Sequence, residues 1–325
     1  MTLRVLLDVD TGVDDAMAIQ FAVAHPDVDL IGITCVAGNT SLGNVVDNTL
    51  RVLDLAGAPP IPVAAGALRP LIEPVRASHV HGGNGLGDIP LPESTRTVDE
   101  RHAVDFARDL LLASSEPVTI VALAPQTNLA LLLRLHPEVI PQIERILFMG
   151  GSASGGNATA VAEFNVWHDP EAASIVIGSG VPTFMYGLDV FNQVTIDEAD
   201  ADALLTGPSA SGRLTGALLR HQMADDADGE PDPSGYAGHI GDAGALCALV
   251  DPDALHIERH PVRVALAGES RGQTIVDRRQ RVGEDTVHAA GSAAPATRPT
   301  VIDVALDVDR ERYARLFLAT IATLP

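Results

Sequence analysis

The run Leu3-Arg4-Val5-Leu6-Leu7-Asp8-Val9-Asp10-Thr11-Gly12-Val13-Asp14-Asp15-Ala16 decides how the rest of the chain is read. Its first part is short, apolar and rich in branched residues, as a strand covered on both faces requires. The pattern predicts a strand from Leu3 to Asp8, a tight turn permitted by Gly12, and a helix beginning near Ala16. Asp8, Asp10, Asp14 and Asp15 crowd that junction and repel one another unless a cation or a helix terminus offsets them. A hard divalent ion such as Ca2+, held by carboxylate and carbonyl oxygens, satisfies the requirement. Asp14 and Asp15 capping the following helix is the purely structural account of the same residues.

Outward from this junction, short apolar runs alternate with longer helical patterns. Further strands are predicted at Leu30 to Ala37, Ile61 to Ala65, Val118 to Ala124 and Ile146 to Met149. Helices are predicted at Leu42 to Leu55, Ala103 to Ala113 and Thr127 to Leu135, and after Asp169-Pro170. This order implies an α/β fold, an open, mostly parallel twisted sheet flanked by helices, in one large domain covering residues 1–325. Arg76 to Arg96, Gly150 to Asn157 and the acidic Ala224 to Ala237 read as loops, while a helix from Asp307 to Thr323 gives the C-terminal half a helix-rich character. In such sheets ligands bind beyond the carboxyl ends of the strands. Asp8 and Asp10, Asn39, and Asn157 to Asn165 are all expected at that rim.

Composition narrows the function. A formal charge of -22, with every one of the 21 basic residues an Arg, argues against unaided nucleic-acid binding. No apolar run is long enough to span a bilayer, and no basic region with a hydrophobic segment and cleavage site opens the chain, so a cytoplasmic protein without membrane partners is expected. Cys35 and Cys247 lie in apolar stretches far apart, which suits buried thiols better than a disulfide or a zinc site.

The sequence resembles the nucleoside hydrolase family, whose mark is a strand running into Asp-x-Asp-x-Gly-x-Asp-Asp followed by a small residue. Asp8 to Ala16 match it. The resemblance continues in family order through Gly38-Asn39, His81-Gly82-Gly83 with Gly85-Leu86-Gly87, and Thr127-Asn128-Leu129-Ala130. It then takes in Asn157, Glu163-Phe164-Asn165-Val166, Asp242 opening an apolar helix, and Arg271-Gly272-Gln273-Thr274 before Val276-Asp277. It implies a Rossmann-like core, a homodimer or homotetramer, and Ca2+-dependent cleavage of the bond between base and ribose in ribonucleosides. By the same resemblance Asp10, Asp15 and Asp242, with the Leu123 carbonyl, look like the calcium ligands. Asp14, Asn39, Asn157, Glu163 and Asn165 look like the groups that hydrogen-bond the sugar hydroxyls.

Chemistry fits those roles. Breaking an N-glycosidic bond develops positive charge on the sugar ring, which nearby carboxylates stabilise. Calcium positions a water and lowers its pKa, and Asp10 takes the proton as that water attacks C1′ with inversion. One element departs from the family pattern: members acting broadly on inosine and uridine carry a His directly before the last metal-binding Asp, and Gly241 stands there. His239 and His81 are then the candidate acids for the leaving base, His239 from a loop able to close over the site, with Trp167 or Tyr236 as a stacking platform.

Three other readings were weighed. Asp8-Val9-Asp10-Thr11 also resembles the opening of a haloacid-dehalogenase-type phosphatase, with Asp8 as nucleophile, although the motif continues differently. An EF-hand loop fails because its twelfth position from Asp8 is Ile19 and not Glu. A riboside-binding member without catalysis is the third, and Gly241 is the residue that keeps it open.

Overall fold

The computed structural model describes residues 2–76, 78, 80–228, 238–279 and 299–325. Strands are β1 (Leu3–Val9), β2 (Val28–Cys35), β3 (Val63–Ala65), β4 (Val118–Ala122), β5 (Ile143–Met149), β6 (Thr183–Tyr186), β7 (Thr195–Ile196), β8 (Gly238–His239), β9 (Leu255–Val264), β10 (Thr274–Val276) and β11 (Thr300–Val308). Among the described residues, nine of them form one sheet in the order β10-β9-β11-β6-β5-β4-β1-β2-β3, and β7 and β8 form a separate antiparallel pair. From β3 to β11 every neighbouring pair is parallel; β9 and β10 close the far edge antiparallel.

Strand β1 shows why the sheet needs cover on both faces. Val5, Leu7 and Val9 enter one core, shared with the helices α1 (Val13–Ala24) and α2 (Leu42–Leu55). Leu6 enters the other, against α3 (Ala103–Ala113) and α4 (Thr127–Leu135). That is the two-residue period of a strand between two helical layers. On the second face, Asp8 and the side chain of Asn128 meet at 2.9 Å. Asn128 also donates to the Cys35 carbonyl and accepts from the Ala67 amide, so one α4 side chain ties together β1, β2 and the loop after β3. Thr34 adds a hydroxyl to Asp8 at 2.6 Å. Burial still pushes the Asp8 carboxyl up to about 7 against these two bonds.

Several elements differ from the sequence reading. Helix α1 starts at Val13, not near Ala16, because Asp15 reaches back to the Gly12 amide at 2.9 Å and caps the turn early. The C-terminal half supplies four strands of the main sheet, β6, β9, β10 and β11. Strand β9 escapes a hydrophobic pattern because Glu258, Arg259 and Arg263 ride on it and much of it stays exposed near the sheet edge. Asp307 and Val308 complete β11, and the last helix, Arg310–Ile321, opens only after Asp309 caps the Arg312 amide at 3.0 Å.

Beyond β5 come α5 (Phe164–His168), α6 (Pro170–Ile177), α7 (Leu188–Phe191), α8 (Glu198–Leu205), α9 (Ala210–Asp228) and α10 (Ala243–Val250). Helix α9 runs on through residues 224–228, which the sequence reads as loop, since acidic residues at a helix C-terminus oppose its dipole and disguise it. Residues 229–237, including Tyr236, lie outside the described residues. No described helix is long and apolar enough to cross a membrane.

His168 on α5 is fully buried, and neither ring nitrogen has a hydrogen-bond partner among the described residues. Burial, with Arg76 adding to it, pushes the imidazole down to about 4. The unfolded chain takes up that proton near pH 6.5, so this group's stability is fully present above about 6.5 and is lost as pH falls toward 4. His168→Leu is expected to lose less of its urea midpoint than the parent between pH 8 and pH 5. Equal losses in the two proteins would show that His168 does not carry the dependence.

Candidate active site

The carboxyl ends of β1, β2, β4 and β5 converge at one rim, next to the point where the chain reverses direction across the sheet between β1 and β4. A cavity of about 430 Å³ opens there. Its wall takes Asp14 from α1, Asn39 after β2, Leu123 after β4, Met149 ending β5, and Asn157, Glu163 and Asn165 from the loop and helix beyond. His81, His239 and Asp242 close the ring, so residues scattered from position 14 to 242 meet around one space.

Asp10 and Asp15 are fully buried and do not belong to that wall. Asp15 takes the amides of Gly12 at 2.9 Å and Asp10 at 3.2 Å and the Asn39 side-chain amide at 3.2 Å. It is a helix cap as well as a member of the acidic cluster, so both sequence readings describe it. Asp10 takes the Asn39 backbone amide on Oδ2 at 2.7 Å, while its Oδ1 is buried with no hydrogen-bond partner among the described residues. Asp14 Oδ1 is in the same condition. Oxygens of Asp14, Asp15 and Asp242 lie within 4.8 Å of one another, a triad that includes Asp14 and leaves out Asp10. Burial first, and the neighbouring carboxylates next, hold Asp10 and Asp242 well above the usual carboxylate range and raise Asp15 to about 7.

These observations test the cluster for a cation. Unpartnered buried carboxylate oxygens, mutual repulsion and an all-oxygen donor set suit a hard divalent ion, and among the described residues no Lys or Arg lines the cavity to take its place. The residues fit a metal.

The opposite wall is built on backbone. Glu163 caps α5, its carboxylate accepting the amides of Gly151 at 2.9 Å, Asn165 at 2.7 Å and Val166 at 3.0 Å. Burial nevertheless raises it to about 7. Asn165 donates its side-chain amide to the Leu123 carbonyl at 2.8 Å and to the Met149 carbonyl at 3.2 Å, bridging the ends of β4 and β5. Asn157 stays exposed and accepts the Phe164 amide at 2.9 Å.

Elsewhere in the wall, His81 Nδ1 accepts the Val13 amide at 3.1 Å, which puts the proton of the neutral ring on Nε2. Asp14 lies 4.0 Å from the same nitrogen. His239 sits on strand β8, paired with Thr195, and not in a loop; its ring stacks on Phe191 at 6.3 Å. Trp167 is not in the cavity wall: the Arg76 guanidinium covers its ring at 3.9 Å. Among the described residues, the benzyl rings that line the cavity are Phe164 and Phe191. Neither was singled out in the sequence, although Phe164 lies inside the Glu163 to Val166 block. Gln222 was also missed. It lies on α9, and its Oε1 is buried without a hydrogen-bond partner among the described residues. Asp8 stays outside the wall on the Asn128 side of the sheet, which removes the nucleophile that the phosphatase reading requires.

An open α/β sheet with buried carboxylates at its switch point, and above them a cavity that sets carboxyl, amide and imidazole groups among apolar side chains, has the form of an α/β enzyme whose acidic cluster could bind a metal. Comparison with known proteins narrows the class. The family model for inosine-uridine preferring nucleoside hydrolase matches residues 5–315. The pyrimidine-specific ribonucleoside hydrolase RihA of Escherichia coli is 38% identical over 319 residues, covering 97% of each chain. RihA of Shewanella baltica is 38% identical over 286 residues, 87% of this chain and 89% of that one. Among solved structures, a plant nucleoside hydrolase superposes with a TM-score of 0.89 at 30% identity over 100% of both chains. A purine-preferring ribonucleoside hydrolase from Gardnerella vaginalis gives 0.85 at 30% identity over 98% of both. The chain belongs to the inosine-uridine preferring nucleoside hydrolase family. It is accordingly a hydrolase of N-glycosyl bonds that acts on ribonucleosides.

A Cβ at Gly38 would stand 2.0 Å from Asp10 Oδ2 and 2.9 Å from Pro125. Gly38→Ala therefore has to dislodge the Asp10 carboxylate from the Asn39 amide. Turnover is expected to fall by about a hundredfold or more, with a far-ultraviolet circular dichroism spectrum like the parent's. Undiminished turnover would show that Asp10 need not hold this position.

Proposed function

We propose that the chain hydrolyses ribonucleosides to free base and ribose with one Ca2+ per molecule, through direct attack of water on C1′. The observation that supports this reading is an acidic cluster in which Asp10 Oδ1 and Asp14 Oδ1 are buried without hydrogen-bond partners among the described residues, beside a cavity lined by Asp14, Asn39, Asn157, Glu163, Asn165 and Asp242. Asp15 and Asp242, with Asp10 and the Leu123 carbonyl, are the residues to hold the cation. A bound Ca2+ supplies Lewis-acid polarisation of water and of sugar hydroxyls.

Everything else falls to side chains. Asp14, at the cavity edge of the triad, accepts a ribose hydroxyl, and Asn39, Asn157, Glu163 and Asn165 orient the ring. Asp10 Oδ1 takes the proton of the attacking water. The ring of acidic groups favours the positive charge that develops as the glycosidic bond opens. His239, on its strand, and His81, through Nε2–H, line the cavity and are the proposed proton donors to the leaving base. The RihA relatives and the Gln222 amide support a pyrimidine base, whose carbonyl and ring nitrogen need a partner that both donates and accepts. A cytoplasmic salvage role in a homodimer or homotetramer completes the reading. The exposed Leu68, Ile72 and Val75 on the segment leading to the cavity are a surface suited to self-association, and sizing by light scattering tests this: a monomer at working concentration would contradict it.

Elemental analysis is expected to find one calcium per chain. Chelation should abolish turnover and added Ca2+ should restore it. Asp10→Ala loses turnover by about a thousandfold or more, whereas Asn165→Ala keeps the metal and raises KM. Zinc in place of calcium, or an active Asp10→Ala, would overturn the assignment.

Release of ribose is expected to be faster from uridine and cytidine than from inosine, and far faster from uridine than from 2′-deoxyuridine. His239→Ala should slow uridine by about a hundredfold yet leave p-nitrophenyl riboside, whose leaving group needs no proton, nearly unchanged. Equal losses on both substrates would assign His239 to binding instead of proton transfer.

A further inference from the structure

We infer that His221 is a positioning residue for the base side of the cavity, a latch that fastens the loop carrying His81 to helix α9. The loop from His81 to Ile89 is a rigid unit bonded to itself. The Gly87 amide donates to the His81 carbonyl at 2.8 Å. The Asn84 side-chain oxygen accepts the amides of Leu86 at 2.7 Å and Asp88 at 3.0 Å, and Asp88 Oδ1 accepts those of Gly83 at 3.0 Å and Asn84 at 3.2 Å. Leu86 is buried beneath the loop.

A rigid loop is placed by its attachments, and among the described residues these fall on two sides. On the inner side, Asn48 bridges the Asn84 carbonyl at 2.9 Å and the Thr11 carbonyl at 3.1 Å, and the Val13 amide meets the His81 ring. On the outer side, His221 Nε2 lies 3.1 Å from the Val80 carbonyl. A carbonyl only accepts, so His221 donates this bond from Nε2. The same ring packs on Gly87 so closely that a Cβ there would stand 2.6 Å from its Cγ, and Gly87 has a φ of 60° that favours glycine. Gly87 is thus the seat of the latch.

The latch also lies between wall residues on each strand of chain it joins. Val80 and His81 line the cavity from the loop, and Gln222, the next residue after His221, lines it from α9. One hydrogen bond and one ring contact therefore set the separation between the two groups proposed to address the base. His221 itself is not in the wall, so it acts through these neighbours and touches no substrate.

The test compares His221→Ala with His221→Gln, which keeps an N–H donor. Amide hydrogen exchange at Val13, whose N–H is bonded to the His81 ring, is expected to quicken about tenfold in His221→Ala and to return near the parent rate in His221→Gln. The kinetic arm rests on the proposed role of His81. There kcat/KM for uridine should fall roughly tenfold to a hundredfold in His221→Ala, recover in His221→Gln, and fall by less than about twofold further when His221→Ala is added to His81→Ala. Unchanged exchange at Val13, or no recovery with Gln, would overturn the latch. Losses that multiply in the double variant would overturn its action through His81. If the parent released no base from any riboside, the functional reading would fail, and the exchange arm would still decide the latch.

Discussion

The burial of like charges at one end of a parallel sheet is the constraint from which the rest of this structure follows. Asp10, Asp15 and Asp242 are almost or fully inaccessible, and Asp14 borders them. In so dry a place each carboxylate loses hydration and gains a repelling neighbour, which is why these groups are held above their usual range. The fold offsets part of this with backbone amides from Asp10, Gly12 and Asn39, all in tight turns at strand ends, and one end of α1 is capped by the same carboxylate. Those amides do not reach Asp10 Oδ1 or Asp14 Oδ1. An arrangement that leaves buried anionic oxygens without donors is costly in a protein that only has to fold, and it is economical in one that binds a cation there.

This constraint explains which parts of the sequence were legible. The Asp8 to Ala16 junction announces itself because carboxylates directly after an apolar strand have few uses. Helices α2, α3 and α4 were read to the residue, since their amphipathic stripes face one layer each and their neighbours in the chain signal their ends. Strand β9 was not read, because a strand near the edge of the sheet, paired antiparallel and dotted with Arg and Glu, carries little hydrophobic period; β11 is apolar apart from Thr300, Asp303 and Asp307, and its last residues fall in the helix expected from Asp307. The site divides in the same way. Asp14, Asn39, Glu163 and Asn165 follow strands and are short-range consequences of the sheet. Gln222, Phe164 and Phe191 reach the cavity through tertiary packing alone, and a glutamine in a polar helix or a phenylalanine in an apolar turn carries no local mark of it. Trp167, the aromatic that composition brings forward, is instead sealed under Arg76 in a cluster with Glu73, Arg271 and Glu171.

Two halves of the cavity therefore have different physical characters. The side proposed to hold the sugar is made of strand ends and helix caps, positions tied to the sheet by hydrogen bonds to backbone, such as the Asn165 bridge from Leu123 to Met149. The side proposed to face the base is made of α9, the two-residue strand β8 and the loop around His81, none of which belongs to the main sheet. Relatives described as pyrimidine-specific and as purine-preferring share this fold. Under the proposed assignment, a ribose floor on strand ends with a base wall outside the main sheet fits that spread, because changing the wall disturbs no strand end.

Gly241 shows how one residue connects the two halves. It has a φ of 56°, and a Cβ there would stand 2.4 Å from the Asp14 Cβ. The glycine lets the chain turn tightly against Asp14 and deliver Asp242 into the triad at the start of α10. A histidine in this place would need the β8 segment to swing away from α1, since neither its Cβ nor its backbone angle suits the present path. The close approach of Asp14 and Asp242 and the absence of a side-chain acid at position 241 are thus one structural choice. The proposed assignment of the proton source to His239 is consistent with this: two residues earlier the chain is an extended, paired strand, and its side chain lines the cavity.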